Sequence, residues 1–197
     1  MPKKMKIRSA AKLTNSTWLN MFEVSYVDPA GRIRAWQTVS RAAEPKCITG
    51  EYQMPDAVVI VPYHTAAGKL VITREFRVPL ADYEYGFPAG LVDSGETILQ
   101  AARRELMEET GLRLTRCFKI SPPLYSSAGM TDESVSMVYS ECDGQPSTEG
   151  NVGSELIEVQ LISRMEAAQM YRNPSLKFDV KAWLVMAEFA ATGNIRE

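Results

Sequence analysis

Cysteine, histidine and long apolar runs are scarce in this sequence. The three cysteines are widely spaced and fit neither a zinc-ligand pattern nor a disulfide framework, so we expect a reducing compartment. Residues 1–12 contain no apolar core of a signal peptide, and no run approaches the length of a membrane helix. We therefore expect a soluble cytoplasmic protein that does not bind to membranes.

The charge of the chain is nearly balanced, with a net charge of -2, which argues against a surface for nucleic acid. Its 197 residues are enough for one domain with a substantial core and a small appendage. We predict an N-terminal β arm over residues 1–50 and a main domain over residues 51–197. The single histidine, His64, falls in a predicted turn, and we expect it to have a surface role rather than a catalytic one.

The stretch from Gly90 to Leu112 predicts a helix with defined ends. Asp93 or Ser94 can cap its N-terminus, and Gly111 suits the left-handed residue just after its C-terminus. Apolar residues recur at helical spacing between these ends and predict a buried stripe, formed by Leu99, Ala102 and Leu106.

Three carboxylates fall on one turn of this predicted helix. Glu105 and Glu109 are four residues apart and share a face, and Glu108 lies at the adjoining edge. Mutual repulsion costs about a few tenths of a kcal/mol per pair, and a hard divalent cation such as Mg²⁺ or Mn²⁺ would relieve it. Arg104 can reach back to Glu96 and fasten the preceding loop to the helix. The alternative is a solvated charged face, which is common for a helix of this composition.

Residues 17–41 form a predicted β-hairpin. Pro29 presets its turn, and Gly31 takes the positive φ angle that the turn requires. A two-stranded hairpin is only marginally stable alone in water, so it must pack on the main domain or on a second subunit. Trp18 and Trp36 lie on opposite arms. They are either ordinary packing residues or the walls of a slot for a flat aromatic base.

Two arginines lie near the end of a predicted strand over residues 69–76. Guanidinium groups bind phosphate oxygens in pairs, and we favour such a contact for Arg77. For Arg74, an exposed charge at the end of the strand is equally compatible with the sequence. In the segment that follows, Pro88 and the neighbouring glycines enforce an irregular backbone, which could aim the carbonyl of Ala89 at a metal ion.

The rest of the chain alternates between predicted strands and helices. Strands are predicted over residues 57–61, 116–120, 135–140 and 156–162. Ser163 and Glu166 form a capping box that predicts a helix. Ser175 is predicted to begin the last helix, whose inner face would consist of Leu176, Val180, Trp183, Leu184 and Ala187. This order of elements predicts an α/β/α sandwich with a mixed sheet.

Two polar loops add candidates for the site. The first, residues 126–133, ends at Glu133, which is a candidate for substrate binding. The second, residues 141–154, is rich in glycine, serine and acids, and its length is typical of a mobile lid. Glu155 follows it directly, and Glu149 and Glu158 lie close by in the sequence, so all three are candidates for a general base.

The spacing from Gly90 to Leu112 resembles the Nudix box, G-x5-E-x7-R-E-U-x-E-E-x-G-U (U is a bulky aliphatic residue), at every fixed position. Over nearly its full length the chain is also similar to the ADP-ribose or ADP-sugar pyrophosphatase branch of the Nudix hydrolases. The similar segments are YVDPAGRIRAW, REFRVPL and FPAGLVD. The resemblance implies the Nudix α/β/α sandwich and a homodimer whose subunits exchange their N-terminal arms.

The same resemblance implies roles for the substrate-binding candidates. Trp18 and Trp36 are expected to stack on the adenine, one from each subunit. Arg77 is expected to contact the diphosphate, and Arg41 to lie beside the site. One departure concerns Gly86, where many relatives have glutamate, and it bears on the choice of substrate more than on the chemistry.

The resemblance also implies how a metal ion is held. The carbonyl of Ala89 and the carboxylates of Glu105 and Glu109 are expected to bind it, with Glu108 assisting. Glu155 is expected to close over the substrate as general base. Structural roles are expected for the remaining motif residues, namely Gly90, Glu96 and Arg104. A second departure is Ala128, where relatives often have proline.

These features predict hydrolysis of a pyrophosphate linkage, with ADP-ribose converted to AMP and ribose 5-phosphate. The metal would activate water and neutralise charge on the phosphoryl oxygens, while a carboxylate accepts the proton of the water. Two alternatives stay open. One is hydrolysis of another nucleotide sugar or of an oxidised nucleoside diphosphate. The other is a non-catalytic Nudix-like nucleotide sensor, against which the intact motif argues.

Overall fold

The structure is a computed structural model that describes residues 5–149 and 156–195. The chain divides into two compact units. One unit consists of the residues up to Asp56 together with Pro123–Val135, and the other consists of Ala57–Pro122 together with the chain from Ser136 onward. The first unit is therefore discontinuous in sequence.

The first unit contains a three-stranded antiparallel sheet in the order β1-β2-β3 and a short helix, α1. The elements are β1 (Lys6–Lys12), β2 (Asn20–Val27), β3 (Ile33–Ser40) and α1 (Lys46–Thr49). The predicted hairpin is confirmed as β2 and β3. In its turn, Asp28 Oδ1 accepts hydrogen bonds from the backbone N–H groups of Ala30 and Arg32, and Gly31 has a φ of 81°. β1 was not predicted, because its sequence is mostly small and charged and has no apolar alternation.

One face of this sheet is buried and the other is exposed. Phe22 and Val24 are buried on β2, and Val24 pairs with Trp36 of β3, so Trp36 projects from the same face. Met21 and Glu23 alternate with them and are exposed on the opposite face. The buried face is thus the one to which Trp36 belongs.

The second unit is built on a seven-stranded sheet with three helices. Its strands are β4 (Ala57–His64), β5 (Lys69–Arg77), β6 (Asp82–Gly86), β7 (Ala89–Leu91), β8 (Arg113–Ile120), β9 (Val135–Asp143) and β10 (Ile157–Ile162). They follow the order β10-β5-β4-β9-β8, with β6 paired to β5 and β7 paired to β4. The helices are α2 (Ile98–Thr110), α3 (Arg164–Met170) and α4 (Val180–Thr192). No helix within residues 5–149 and 156–195 has the length and apolar character needed to cross a bilayer.

The sheet is mixed, as predicted. Near the start of β4, Asp56 N donates to the carbonyl of Ser134, which precedes β9 (2.9 Å). Just after the end of β4, Thr65 N donates to the carbonyl of Cys142, near the end of β9 (3.2 Å). Because the starts and the ends of the two strands coincide, β4 and β9 are parallel, whereas β8 and β9 are antiparallel.

Helices cover both faces of β4, which confirms the predicted α/β/α sandwich. Val58 and Ile60 share a fully buried cluster with Ala102 and Leu106 of α2. Tyr63 points to the opposite face, and its ring meets that of Phe189 on α4, with the two centroids 6.3 Å apart. The helix that carries the predicted metal ligands therefore packs on one face of the central strands.

The start of α2 differs from the prediction. The N-cap is Thr97, whose hydroxyl accepts from Gln100 N, while the Gln100 side chain accepts from Thr97 N. Asp93 and Ser94 are not the cap, because the residues from Asp93 to Glu96 form a separate turn in which Glu96 N donates to Asp93 O (3.0 Å). The predicted C-terminal glycine is confirmed, since Gly111 has a φ of 70°.

The last helix also begins later than predicted. α4 starts at Val180, and Asp179 Oδ1 caps it by accepting from Lys181 N (2.8 Å) and Ala182 N (3.3 Å). The predicted start at Ser175 was wrong, and so was the predicted inner face. The buried residues are Ala182, Val185, Met186 and Phe189. Most positions of this helix are apolar, so periodicity alone could not identify the buried side.

His64 is buried, and the predicted surface role was wrong. It is the last residue of β4. Its Nδ1 accepts a hydrogen bond from Ala67 N (3.1 Å), and its Nε2 lies 2.9 Å from the carbonyl of Gly144. With Nδ1 acting as acceptor, the Nε2–H donates to Gly144, so the ring fastens the β4–β5 turn to the end of β9.

Candidate active site

Arg104 is the centre of the hydrogen-bond network at the start of the motif from Gly90 to Leu112. Its guanidinium binds both carboxylate oxygens of Glu96, at 3.1 and 2.9 Å. It also donates to the carbonyl of Leu91 (2.9 Å) and to Glu105 Oε1 (2.6 Å). The predicted contact between Arg104 and Glu96 is therefore present, and it ties the loop before α2 to the helix and to the end of β7.

Electrostatics reinforce this tie. The hydrogen bonds that Arg104 donates to Glu96, and next to Glu105, raise the pKa of Arg104 above its usual range. The hydrogen bonds from Arg104 in turn lower the pKa of Glu96, with a smaller contribution from the N–H of Asp93. The two shifts have the same origin, because each charge stabilises the other. Arg104 and Glu96 consequently remain ionised together throughout the neutral pH range.

Gly90 makes room for the carboxylate of Glu105. A β-carbon added at Gly90 would lie 2.0 Å from the carboxyl carbon of Glu105. Gly90 is the central residue of β7 and pairs with Val58 of β4, so the strand itself cannot move away easily. The glycine of the motif thus lets a helix carboxylate lie directly against a strand backbone.

The neighbouring strand residue contacts the next carboxylate. Ala89 N donates to Glu109 Oε2 (3.3 Å), so Glu105 and Glu109 meet consecutive residues of β7. Glu108 lies at the exposed edge, where its Oε2 is 3.3 Å from Arg104 Nη1. The structure therefore brings Ala89, Gly90 and all three predicted glutamates together at the junction of β7 and α2.

The chemistry of these donors suits a hard divalent cation, because carboxylate and carbonyl oxygens are the ligands that Mg²⁺ and Mn²⁺ prefer. The space in front of Gly90, which a β-carbon would fill, already accommodates a carboxylate. In the part of the chain that the structure describes, however, no three His, Cys, Asp or Glu side chains converge closely enough to hold an ion. Glu105 and Glu108 both turn toward Arg104, so metal binding would require at least one of them to rotate.

Arg74 and Arg77, near the end of β5, both engage acidic partners. Arg77 Nη1 donates to Glu75 Oε1 (2.7 Å), and its Nε lies 3.4 Å from Glu84 Oε2. Arg74 donates to Glu158 Oε1 (2.8 Å), and its guanidinium lies 3.7 Å from the centroid of the Tyr83 ring. Arg77 remains half exposed. Its proposed contact with a diphosphate stays a prediction.

The three candidates for the general base differ in their surroundings. Glu158 is ion-paired with Arg74, which binds one of its oxygens. Glu149 is exposed near the end of the first described segment. Glu155 lies outside the described residues.

Trp36 lies on β3, on the same face of the three-stranded sheet as the buried residues Phe22 and Val24. Its ring is 53% exposed, and its Nε1 donates to the carbonyl of Gly129 (3.2 Å). Further along β3, the Thr38 hydroxyl donates to the carbonyl of Met130 (3.0 Å). Beyond the strand, Arg41 Nε donates to Glu133 Oε1 (2.7 Å). Three of the predicted substrate-binding residues, Trp36, Arg41 and Glu133, therefore lie along one contact between β3 and residues 129–133.

A cavity of about 380 Å³ opens on the buried face of the three-stranded sheet. Trp36 lines it, together with three tyrosines that sequence reasoning missed, Tyr26, Tyr52 and Tyr125. Of these tyrosines, only Tyr26 could have been placed on this face from the sequence, because it lies two residues after Val24 on the same strand, β2. Trp18 does not line this cavity and is 77% exposed before the start of β2. The two tryptophans thus do not form a slot within one chain.

Comparisons with known proteins identify the family of the chain. The NUDIX domain family model matches residues 54–184. The chain is 32% identical to the putative nudix hydrolase 2 of Caenorhabditis elegans, over 76% of this chain and 68% of that protein. It is 30% identical to the ADP-sugar pyrophosphatase of Mus musculus, over 77% of this chain and 66% of that protein.

A solved structure shares the fold. The crystal structure of an ADP compounds hydrolase superposes with a TM-score of 0.74, and the match covers 100% of this chain and 99% of the other. Its sequence identity is 21%, so this likeness bears on the fold alone. The family match over residues 54–184 and the motif that is intact from Gly90 to Leu112 show that the chain belongs to the Nudix hydrolase family.

Proposed function

We propose that the protein hydrolyses the pyrophosphate bond of ADP-ribose and releases AMP and ribose 5-phosphate. The proposal depends chiefly on one observation: Glu105 and Glu109 of α2 lie against Gly90 and Ala89, consecutive residues of β7. The name of the mouse relative, ADP-sugar pyrophosphatase, supports this class of substrate. A cytoplasmic location is also proposed, because all three cysteines are free thiols.

Mg²⁺ or Mn²⁺ is the proposed cofactor, held by Glu105, Glu108, Glu109 and the carbonyl of Ala89. When bound, it would activate water and neutralise charge on the phosphoryl oxygens. Arg104 holds the loop before α2 in place through Glu96.

The remaining roles belong to residues that would bind the diphosphate and move a proton. Arg77 is proposed to contact the diphosphate, because its guanidinium is accessible and offers paired donors. Glu155 is proposed as the general base that accepts the proton of the attacking water. Glu158 is a weaker candidate for the base, because Arg74 already occupies one oxygen of its carboxylate.

The direct test is hydrolysis of a panel of diphosphates in the presence of Mg²⁺ or Mn²⁺, with the products separated by chromatography. We expect ADP-ribose to give AMP and ribose 5-phosphate with the highest kcat/KM of the panel. The panel includes other nucleotide sugars and an oxidised nucleoside diphosphate. Faster turnover of one of these would reassign the substrate. Binding of ADP-ribose without any product would favour the sensor instead.

Replacement of Trp36 by alanine is expected to raise the KM for ADP-ribose by roughly ten-fold or more, because stacking on an aromatic ring contributes about 1–3 kcal/mol per base. The metal-binding helix is untouched, so kcat should change less than KM. Steady-state kinetics and thermal unfolding are measured on the same preparation.

Trp36→Phe is the matched control, because it keeps an aromatic ring but loses the hydrogen bond to Gly129. Its KM should stay close to that of the wild type if stacking is what matters. If the alanine variant melts earlier but its folded fraction has an unchanged KM, then Trp36 is a packing residue and the preference for an adenine nucleotide loses its support.

The protein is also proposed to form a homodimer through its N-terminal strands. Large apolar residues are exposed on and beside this sheet, namely Trp18, Leu19, Met21 and Ile33. Light scattering should therefore give the mass of a dimer at micromolar concentration. Met21→Glu should weaken the dimer, whereas Met165→Glu, a change at an exposed methionine of α3, should not. A fully active monomer would contradict the proposal.

A further inference from the structure

Lys46 is a buried lysine in the first unit, with only 7% of its surface exposed. Its Nζ donates to Asp56 Oδ2 (2.5 Å) and to the hydroxyl of Ser134 (3.0 Å). Lysines are almost never buried without a partner. The carboxylate of Asp56 supplies the opposite charge here, and Ser134 is itself fully buried.

The same cluster fixes a segment that is distant in sequence. Asp56 Oδ2 also accepts hydrogen bonds from the N–H (2.7 Å) and the hydroxyl (3.0 Å) of Ser134, and Asp56 N donates to the carbonyl of Ser134 (2.9 Å). At the other end of the lysine, Lys46 N donates to Asp132 Oδ2 (2.7 Å). Residues 132–134 are therefore held both by α1 and by the residue that precedes β4.

The fixed segment is continuous with the face that carries Trp36. Residues 129–133 supply the carbonyls that accept from Trp36 and Thr38, and Glu133 pairs with Arg41. Val39 N also donates to the carbonyl of Met130 (2.8 Å). The residues on either side of Lys46, Pro45 and Cys47, line the cavity beside Trp36, and so do Thr131 and Asp132. The charged cluster thus joins two walls of one cavity.

We infer that Lys46, Asp56 and Ser134 form a positioning cluster for substrate recognition, which holds residues 129–134 against β3 so that Trp36, Arg41 and Glu133 keep one arrangement. This inference rests on the proposed function, in which these residues contact the nucleotide. The hydrogen bonds of the cluster given above involve none of the proposed metal ligands, so we expect its loss to act on binding rather than on the chemical step. A cluster that served stability alone would leave the affinity of the folded protein unchanged.

Lys46→Met tests the inference in the full-length protein. The change removes the charge and leaves Asp56 bonded to Ser134. Hydrogen exchange of residues 129–134 should become faster, while exchange in α2 stays as in the wild type. The Kd for ADP-ribose, measured without added metal, should rise roughly ten-fold, with a similar rise in KM and little change in kcat. In a Trp36→Ala background the effect on Kd should shrink, because coupled residues are not additive.

Two further variants keep the test decisive. Ser134→Ala removes one member of the cluster but keeps the ion pair, and it replaces Lys46→Met if that variant does not fold. It should speed hydrogen exchange of residues 129–134 and raise the Kd for ADP-ribose, each by less than Lys46→Met. Lys12→Met, at an exposed lysine of β1, is the matched control and should leave exchange and Kd unchanged. Unchanged exchange in residues 129–134, or an unchanged Kd in a folded variant, overturns the inference alone. A wild-type protein that does not bind ADP-ribose overturns the proposed function as well.

Discussion

Glu109→Gln is expected to lower kcat by roughly two or more orders of magnitude, because loss of one anionic ligand removes several kcal/mol of charge stabilisation. The fold should survive. Glutamine keeps an oxygen that can accept the hydrogen bond from Ala89 N, and the change relieves repulsion with Glu105. The measurement is kcat as a function of Mg²⁺ concentration, with thermal unfolding on the same samples.

Glu188→Gln is the control for this experiment, because it makes the same chemical change at an exposed position of α4. It should leave kcat and its dependence on Mg²⁺ unchanged. If Glu109→Gln turns over at nearly the wild-type rate in Mg²⁺, the assignment of the metal-binding helix is wrong.

Gly90→Ala is expected to abolish most activity while it changes the melting temperature little. The new β-carbon would overlap the carboxylate of Glu105, which is the far end of a flexible side chain and can swing away. The cost in stability should stay near 1 kcal/mol, which corresponds to a shift of about 2–4 °C for a chain of this length. The displaced carboxylate can no longer act as a ligand, so kcat should fall by roughly two orders of magnitude.

Gly86→Ala provides the matched control, because its added β-carbon would lie 3.8 Å from the nearest atom, the hydroxyl of Thr73. That variant should keep its stability, and its kcat should fall far less than that of Gly90→Ala. Glu105→Asp in the Gly90→Ala background shortens the displaced side chain and should recover part of the lost rate. If Gly90→Ala is fully active, or melts far below the wild type, the proposed role of the glycine fails.

The sequence predicted those parts of the fold that depend on local chemistry. The turn between β2 and β3 was identified correctly because Asp28 and Gly31 stabilise it without help from the rest of the chain. The starts of α2 and α4 were missed because several capping residues compete along each segment. The choice among them depends on tertiary packing, as with Thr97 over Asp93 and Ser94.

The candidate site likewise has contacts that the sequence could predict and contacts that it could not. The contact of Arg104 with Glu96 could be predicted, because the two residues are close in sequence and the long arginine side chain can reach back to the loop before α2. The cavity beside Trp36 could not, because Tyr26, Tyr52 and Tyr125 come from three distant parts of the chain. The ion pair of Lys46 with Asp56 could not be predicted from the sequence either. Neither residue carries a local pattern that distinguishes a buried charge from a solvated one.

The discontinuity of the first unit has a consequence for how the chain folds as it leaves the ribosome. β1, β2 and β3 are synthesised first, but the unit that contains them is completed only by Pro123–Val135. The early strands must therefore wait while Ala57–Pro122 of the second unit emerges, with part of their own unit not yet made. The first unit therefore cannot be completed before residue 135 has emerged, although it is still complete before the second unit. A fragment that ends at Asp56 would also expose the surface that normally receives residues 123–135.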